Sequence, residues 1–366
     1  MIAAAFIGPG TVATATRAGA AGGYAYLPVV GLAAVAGWVY LEMAARLTIV
    51  SGRSLGELLR LGNQRWIPIL LYGGVVFGCA AYQAGNLLGA LAGLQLLVAV
   101  ERYWIVLFAA GVALLLWRGS PQTLGRRMAY LVGTLGLLFV LTAGWLLLGG
   151  PAPPIRSVDL EDGGIWLALL GTTIVPYNFF LAAGLGEEGE VVSMRRGLLL
   201  SFGVGALITA CIVVVGASVP QFVSFADLGN ALTRVVGAGG RWVLGLGLLA
   251  AGLSSAATAP LAAAIAGKEL LGWSVSGTGY RLTWLGVLVS GLLVGLLQLD
   301  LVGVILTAQI INGLLLPFVA ATVLLLANRK SLLGSQVNPW WQNLAGVGVL
   351  GYLLFKTGQF FYNLVV

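Results

Sequence analysis

Apolar residues run through this chain in long blocks, and short turn-rich or charged stretches separate them. Eleven blocks can be read, near 2–17, 22–50, 66–98, 103–117, 123–149, 164–184, 195–220, 239–267, 280–298, 301–327 and 342–364. A membrane helix needs roughly 20 apolar residues, so these blocks predict eleven transmembrane helices. Ser51-Gly52-Arg53-Ser54 and Pro151-Ala152-Pro153-Pro154 are typical of the separators. Two blocks are interrupted from within. The first carries Gly8-Pro9-Gly10-Thr11, and the sixth carries Gly171-Thr172-Thr173-Ile174-Val175-Pro176-Tyr177-Asn178. Each proline removes a backbone donor beside residues that tolerate unwinding. One such interruption would be an ordinary proline kink. Two, five spans apart, point to a transporter site near the bilayer midplane, between broken helices 1 and 6. The implied arrangement is a single transporter domain over 1–366. Spans 1–5 (about 1–149) and 6–10 (about 164–327) form inverted repeats, and an extra helix covers 342–364.

Composition sharpens the class. Hydrophobic residues are 59% of the chain and charged residues 8%, with a mean hydropathy of +1.00. A soluble domain needs far more charge on its surface. The 55 glycines suit helices that pack closely or break within the membrane. No cleavable signal peptide is expected, because the first block contains Gly8-Pro9-Gly10 and runs on into further spans. Cys79 and Cys211 fall inside apolar blocks and read as packing residues. Histidine is absent, which removes the commonest metal ligand and the usual proton carrier near neutral pH. The net charge of +7 reflects loop arginines rather than nucleic-acid binding. With the N-terminus cytoplasmic, 13 Lys and Arg fall on the inner side and 6 on the outer. That bias predicts a multi-pass protein of the plasma (inner) membrane with its C-terminus outside. The expected partners are the lipid bilayer and a small solute. No cofactor is expected, and oligomeric state is not legible.

At the two interruptions the chain resembles the Nramp family of divalent-metal transporters. The run from Gly10 to Ala20 resembles that family's first broken helix and the loop after it. Ala44-Ala45-Arg46-Leu47-Thr48-Ile49-Val50-Ser51-Gly52-Arg53 is similar to the end of its second span. Ser254-Ser255-Ala256-Ala257-Thr258-Ala259-Pro260 resembles its eighth helix. Thr307-Ala308-Gln309-Ile310-Ile311-Asn312, followed by Leu316-Pro317-Phe318, resembles its tenth. The resemblance covers nearly the whole chain and implies an all-α LeuT/APC-type fold.

The departures from the family pattern are as informative. The family's first motif reads Asp-Pro-Gly-Asn, where the Asp and Asn bind metal; here stand Gly8, Pro9, Gly10 and Thr11. Its sixth-helix motif reads Met-Pro-His, often followed by Asn; here stand Val175, Pro176, Tyr177 and Asn178. The third-helix Asp and Glu that move protons correspond to Gln83 and Asn86, and a second histidine corresponds to about Ala182. The resemblance therefore implies a scaffold without the family's transition-metal ligands or proton relay.

The remaining chemistry is neutral at the breaks. The acids are Glu42, Glu57, Glu101, Asp159, Glu161, Asp162, Glu187, Glu188, Glu190, Asp227, Glu269 and Asp300, and none lies at either break. Only Glu42 falls plausibly inside a span, where it reads as an interfacial residue paired with Arg46 or snorkelling to water. Glu187-Glu188-Gly189-Glu190 reads as a solvated loop and Arg17 as a helix-end marker. The tryptophans, Trp340 and Trp341 especially, read as interface anchors. Gln83 and Asn86 cannot titrate near neutral pH; they either bond neighbouring helices or touch the substrate. A dehydrated transition metal would meet only neutral dipoles, and no metal ligand set is expected. Half-helix N-termini add N–H donors and positive partial charge. A site lined by Thr11, Thr172, Thr173, Tyr177, Asn178, Gln83 and Gln309 thus favours a small anion, a zwitterion or a neutral polar solute, moved by alternating access. A second reading is a divalent-cation carrier for Mg²⁺ or Mn²⁺ that uses neutral oxygens, because Mg²⁺ keeps several of its waters. A third is a receptor or assembly subunit that keeps the scaffold without transport. The chain lacks the residue sets of an enzyme.

Overall fold

The computed structural model describes residues 8–62, 66–118, 121–149, 163–181 and 191–365, with 121–128, 163 and 364–365 as backbone only. Every regular element among them is helical. In chain order they are α1 (Pro9–Gly22), α2 (Leu27–Ser51), α3 (Leu55–Arg60), α4 (Trp66–Leu97), α5 (Trp104–Arg118), α6 (Pro121–Leu148), α7 (Gly163–Thr173) and α8 (Asn178–Leu181). There follow α9 (Val191–Ala217), α10 (Phe225–Val236), α11 (Ala238–Leu271), α12 (Thr278–Leu296), α13 (Leu301–Ala327), α14 (Lys330–Leu333) and α15 (Trp340–Val365).

Nine stretches among the described residues are long and apolar enough to cross a membrane. That count differs from the eleven blocks for two local reasons. The first stretch, Pro9–Ser51, holds two of the expected blocks. Its α1 and α2 are separated by a 3-10 turn over Gly23–Tyr26. Gly23 there has φ 58 and ψ −135, a conformation that only glycine adopts cheaply. The helix Trp104–Arg118 is apolar but has only 15 residues. The second block also starts later than expected, at Leu27 rather than 22, while residues 2–7 of the first block lie outside the described residues.

The helix ends follow ordinary capping chemistry. Gly52 and Gly272 adopt left-handed conformations after α2 and α11, and their N–H groups donate to Thr48 and Lys268 carbonyls. The Ser54 hydroxyl accepts from the Glu57 N–H at the start of α3, and the Asp300 carboxylate accepts from the Gly303 N–H at the start of α13. Many large apolar side chains face outward, among them Leu200, Trp117 and Leu325, as expected of a surface covered by lipid.

The interior is organised by glycine at helix crossings. A Cβ on Gly93 of α4 would lie 2.4 Å from the Leu249 backbone nitrogen of α11. One on Gly171 of α7 would lie 2.1 Å from the Gln309 carbonyl of α13, and one on Gly19 of α1 would lie 2.1 Å from the Val213 carbonyl of α9. Backbones approach to contact at these points, which is how membrane helices gain packing without a hydrophobic driving force.

One polar knot sits in this apolar packing. Glu42 of α2 is fully buried, and its neighbour Arg46 is 1% exposed. The Glu42 carboxylate accepts from Arg46 Nε at 3.0 Å and Nη2 at 3.2 Å, from Arg195 Nε of α9 at 2.8 Å, and from Gln342 Nε2 of α15 at 2.7 Å. Arg46 also donates to the Gln336 carbonyl, to Asn338 Oδ1 at 2.7 Å and to Gln342 Oε1 at 2.9 Å. Glu42 is thus internal rather than interfacial. Its pairing with Arg46 is as expected, but partners brought from α9 and α15 seal it from water.

Candidate functional site

The two interruptions face each other. Gly8 is extended (φ −93, ψ 169) and caps α1, with Pro9 at the first helical position, where its missing N–H costs nothing. The Pro9 ring seats against α4 at Gly89, where a Cβ would lie 2.2 Å from it. Opposite, α7 stops at Thr173, residues 174–177 are unwound, and α8 begins at Asn178. Pro176 cannot donate to the Thr172 carbonyl, which ends the helix there. The half-helices thus present opposite ends to the same space, the N-terminus of α1 and the C-terminus of α7. Their partial charges, about +0.5 and −0.5, partly offset.

Side chains close the gap. Thr11 Oγ1 lies 2.8 Å from Thr172 Oγ1, a hydrogen bond that links the two broken helices directly. Both residues are buried. Tyr82 of α4 reaches in from the side, and its hydroxyl oxygen lies 3.4 Å from where a Cβ on Gly10 would sit. Its ring meets the Tyr177 ring edge-on, with centroids 6.4 Å apart. Gln309 of α13 lies across Gly10, where a Cβ would sit 2.1 Å from Nε2. Its Oε1 is buried without a partner. Ser255 of α11 approaches Gly8, where a Cβ would be 3.6 Å from both the Ser255 and Tyr82 hydroxyl oxygens.

Gly8, Pro9, Gly10, Thr11, Thr172, Tyr177 and Gln309 therefore converge as the sequence predicts. Others do not. The Thr173 hydroxyl turns back to the Leu169 carbonyl of its own helix at 2.9 Å. Val175 packs in the apolar cluster with Met43 and Phe179. Pro176 is buried at the break, and Asn178 is half-buried at the start of α8 with its N–H on the Val175 carbonyl. Gln83 points elsewhere: its Nε2 donates to the Ala256 carbonyl of α11 at 3.0 Å, and its Cγ fills the notch at Gly291 of α12. Of the two roles open to it, this geometry is the helix-bonding one. Asn86 is buried beside α11, its carbonyl against Gly252 and its Nδ2 without a partner. Ala182 lies outside the described residues. Tyr82 and Ser255 are the lining residues that the sequence pattern misses. A separate cavity of about 500 Å³, lined by residues including Ser54, Glu57, Arg60 and Glu269, contains no residue of either break.

Comparison with known proteins places this architecture. The sequence pattern of the family described as "Natural resistance-associated macrophage protein-like" (Nramp) matches residues 1–363. The chain belongs to the Nramp family. It is a multi-pass membrane protein of a transporter family. Among its relatives, the divalent metal cation transporter MntH 1 of Pseudomonas aeruginosa is 26% identical over 392 residues, covering 97% of this chain and 87% of that protein. The MntH of Acidiphilium cryptum is 28% identical over 363 residues, covering 90% and 81%. The fold matches a histidine-to-alanine mutant of the Eremococcus coleocola manganese transporter with a TM-score of 0.76, at 18% identity, over 97% of this chain and 83% of that one. MhsT in complex with L-phenylalanine matches with a TM-score of 0.59 at 16% identity, over 97% of each chain. These likenesses establish the LeuT-type fold for this Nramp member.

The two glycines at the first break make different demands, and substitution separates them. Gly8→Ala places its methyl in ordinary contact and should change thermal stability by less than about 0.5 kcal/mol. Gly10→Ala collides with the Gln309 amide. Overpacking of this kind costs about 1–3 kcal/mol, and here the mobile partner is a site side chain. The expected result is a loss of uptake by roughly tenfold per folded molecule, together with a lowered melting temperature in detergent that Gly8→Ala does not show.

Proposed function

We propose that this Nramp protein carries a divalent metal cation across the bilayer, and that the ion keeps part of its water shell in the site. Family membership and the transport of divalent metals named for its relatives favour a cation. The observation that carries the reading is the buried, unpartnered Gln309 Oε1, on a side chain that lies across Gly10 next in sequence to the Thr11 that bonds Thr172. Neutral oxygens are poor replacements for the hydration of a bare dication. They serve well as acceptors for the waters of a partly hydrated one, and Mg²⁺ is the divalent ion most reluctant to shed its waters. The carbonyl end of α7 supplies the favourable dipole on its side of the space. Mg²⁺ is accordingly the proposed preferred substrate, with Mn²⁺ second. The arginine bias orients the N-terminus to the cytoplasm, so α1 and α7 descend from the outer face to the breaks.

A second reading keeps the same site for a small anionic, zwitterionic or neutral solute. What favours it is the N-terminus of α1, which reaches the site with no acidic residue in its first turn. Proteoliposome flux separates the two. Saturable uptake of Mg²⁺ that Gln309→Leu lowers at least tenfold is expected. Flux of an anion or amino acid without any divalent flux would replace the first reading with the second. Ligand binding without any flux would favour a receptor.

A further inference from the structure

We propose that Tyr82 is the specificity-determining residue of this site, the group through which it prefers a hydrated cation to a stripped one. The inference rests on the divalent-cation reading and adds the residue that sets the choice of ion.

Position 8 is where the geometry is most telling. Its backbone is extended, a conformation open to any residue. A Cβ there would make ordinary contacts at 3.6 Å. Neither strain nor crowding therefore requires glycine. What a longer side chain from position 8 would meet first is the pair of hydroxyls on Tyr82 and Ser255. The Tyr82 hydroxyl thus stands at the point toward which the first break would aim a ligand of its own. It does so from α4, an unbroken helix of 32 residues whose flank is locked backbone-to-backbone to α11 at Gly93 and Gly252. The post stands on a continuous helix, with the two breaks on either side.

The hydroxyl also lies close to the polar groups of the site. Its oxygen would lie 3.6 Å from a Cβ on Gly8 and 3.4 Å from one on Gly10, the glycine that the Gln309 amide lies across, and Thr11 next to Gly10 bonds Thr172 of the second break. One phenolic oxygen thus stands beside both glycines of the first break. Edge-on contact with Tyr177 fixes the ring plane and hence the direction of that oxygen. A phenol at neutral pH is uncharged and a weak direct ligand for a metal. It accepts hydrogen bonds from metal-bound water readily, and such waters are strengthened donors because the cation polarises them. A stripped Mn²⁺ gains little from it, whereas Mg²⁺ arriving with its waters gains an acceptor at a defined point.

The test is the ratio of Mg²⁺ to Mn²⁺ uptake by proteoliposomes holding wild type or Tyr82→Phe, measured in the same preparation. Phenylalanine keeps the ring against Tyr177 and removes only the oxygen. The ratio is expected to fall about tenfold, through a raised KM for Mg²⁺ with Mn²⁺ little affected. Any misfolded fraction lowers both ions alike and leaves the ratio intact, so failure to fold cannot mimic the result. A ratio within twofold of wild type would overturn the role of Tyr82 and leave the cation reading standing. A wild type that moves neither ion would overturn both.

Discussion

Gly8→Asp should convert the site into one that binds Mn²⁺ at least about 100-fold more tightly than the wild-type protein, measured by calorimetry on purified material. Three features set that expectation. The backbone at Gly8 accepts any residue, and the new Cβ fits. The carboxylate beyond it arrives beside the Tyr82 and Ser255 hydroxyls, which can turn to donate to it. And it brings the one thing the breaks lack, a negative charge. At an effective dielectric near 20, a unit charge pair 4 Å apart is worth about 4 kcal/mol. Even after the acid's own desolvation is subtracted, roughly 2.7 kcal/mol, or 100-fold, should remain. The same change should erode preference for Mg²⁺, because a charged ligand rewards shedding water. A folded variant whose Mn²⁺ affinity equals wild type would mean that position 8 does not look into the ion's path.

The largest loss of stability should come from Glu42→Ala. Truncation strands Arg46, 1% exposed, against the Asn338 and Gln342 oxygens and the Gln336 carbonyl with no negative charge. Removing one partner of a buried ion pair costs about 3–5 kcal/mol, a large share of any protein's margin. Poor yield and a much lowered melting temperature in detergent are expected. Arg195→Ala is the contrasting control. Its side chain is 45% exposed, Glu42 keeps its bonds to Arg46 and Gln342, and an exposed partner contributes about 1 kcal/mol or less. Equal losses from the two substitutions would contradict the view that burial of the Glu42–Arg46 pair is what holds α2 to α15.

The site is legible in the sequence to the extent that it is made of backbone. Pro9 and Pro176 announce the two breaks, because a residue with no N–H to donate must start, kink or end a helix wherever it falls in an apolar block. Thr11, Thr172 and Gln309 follow from those breaks and from the family resemblance. Tyr82 does not. It lies on α4 one residue before Gln83, and a step of about 100° around a helix decides which of the two faces the breaks. Only packing fixes that rotation: Gln83 fills the Gly291 notch and turns toward α11, leaving its neighbour to enter the site. The depth of Glu42 is hidden for a similar reason. Its pairing with Arg46 is local, four residues on, and so can be read. Its burial depends on Gln342, 300 residues away along the chain, and no local pattern carries that. Each of the eleven blocks holds a helix among the described residues, and the count of long apolar stretches falls to nine only because α5 has 15 residues and α1 and α2 run together across the turn over Gly23–Tyr26.

The contact between Thr11 and Thr172 bears on how such a protein cycles. A neutral hydrogen bond of this kind contributes about 1 kcal/mol net, and hence shifts a population by only about fivefold. Two short helices, of 14 and 11 residues, therefore meet through a fastening that thermal motion undoes readily and that, on the proposed reading, a passing ion can supplant. On the transport reading proposed above, a latch so weak leaves the resting balance between inward and outward arrangements to the cargo and the gradient.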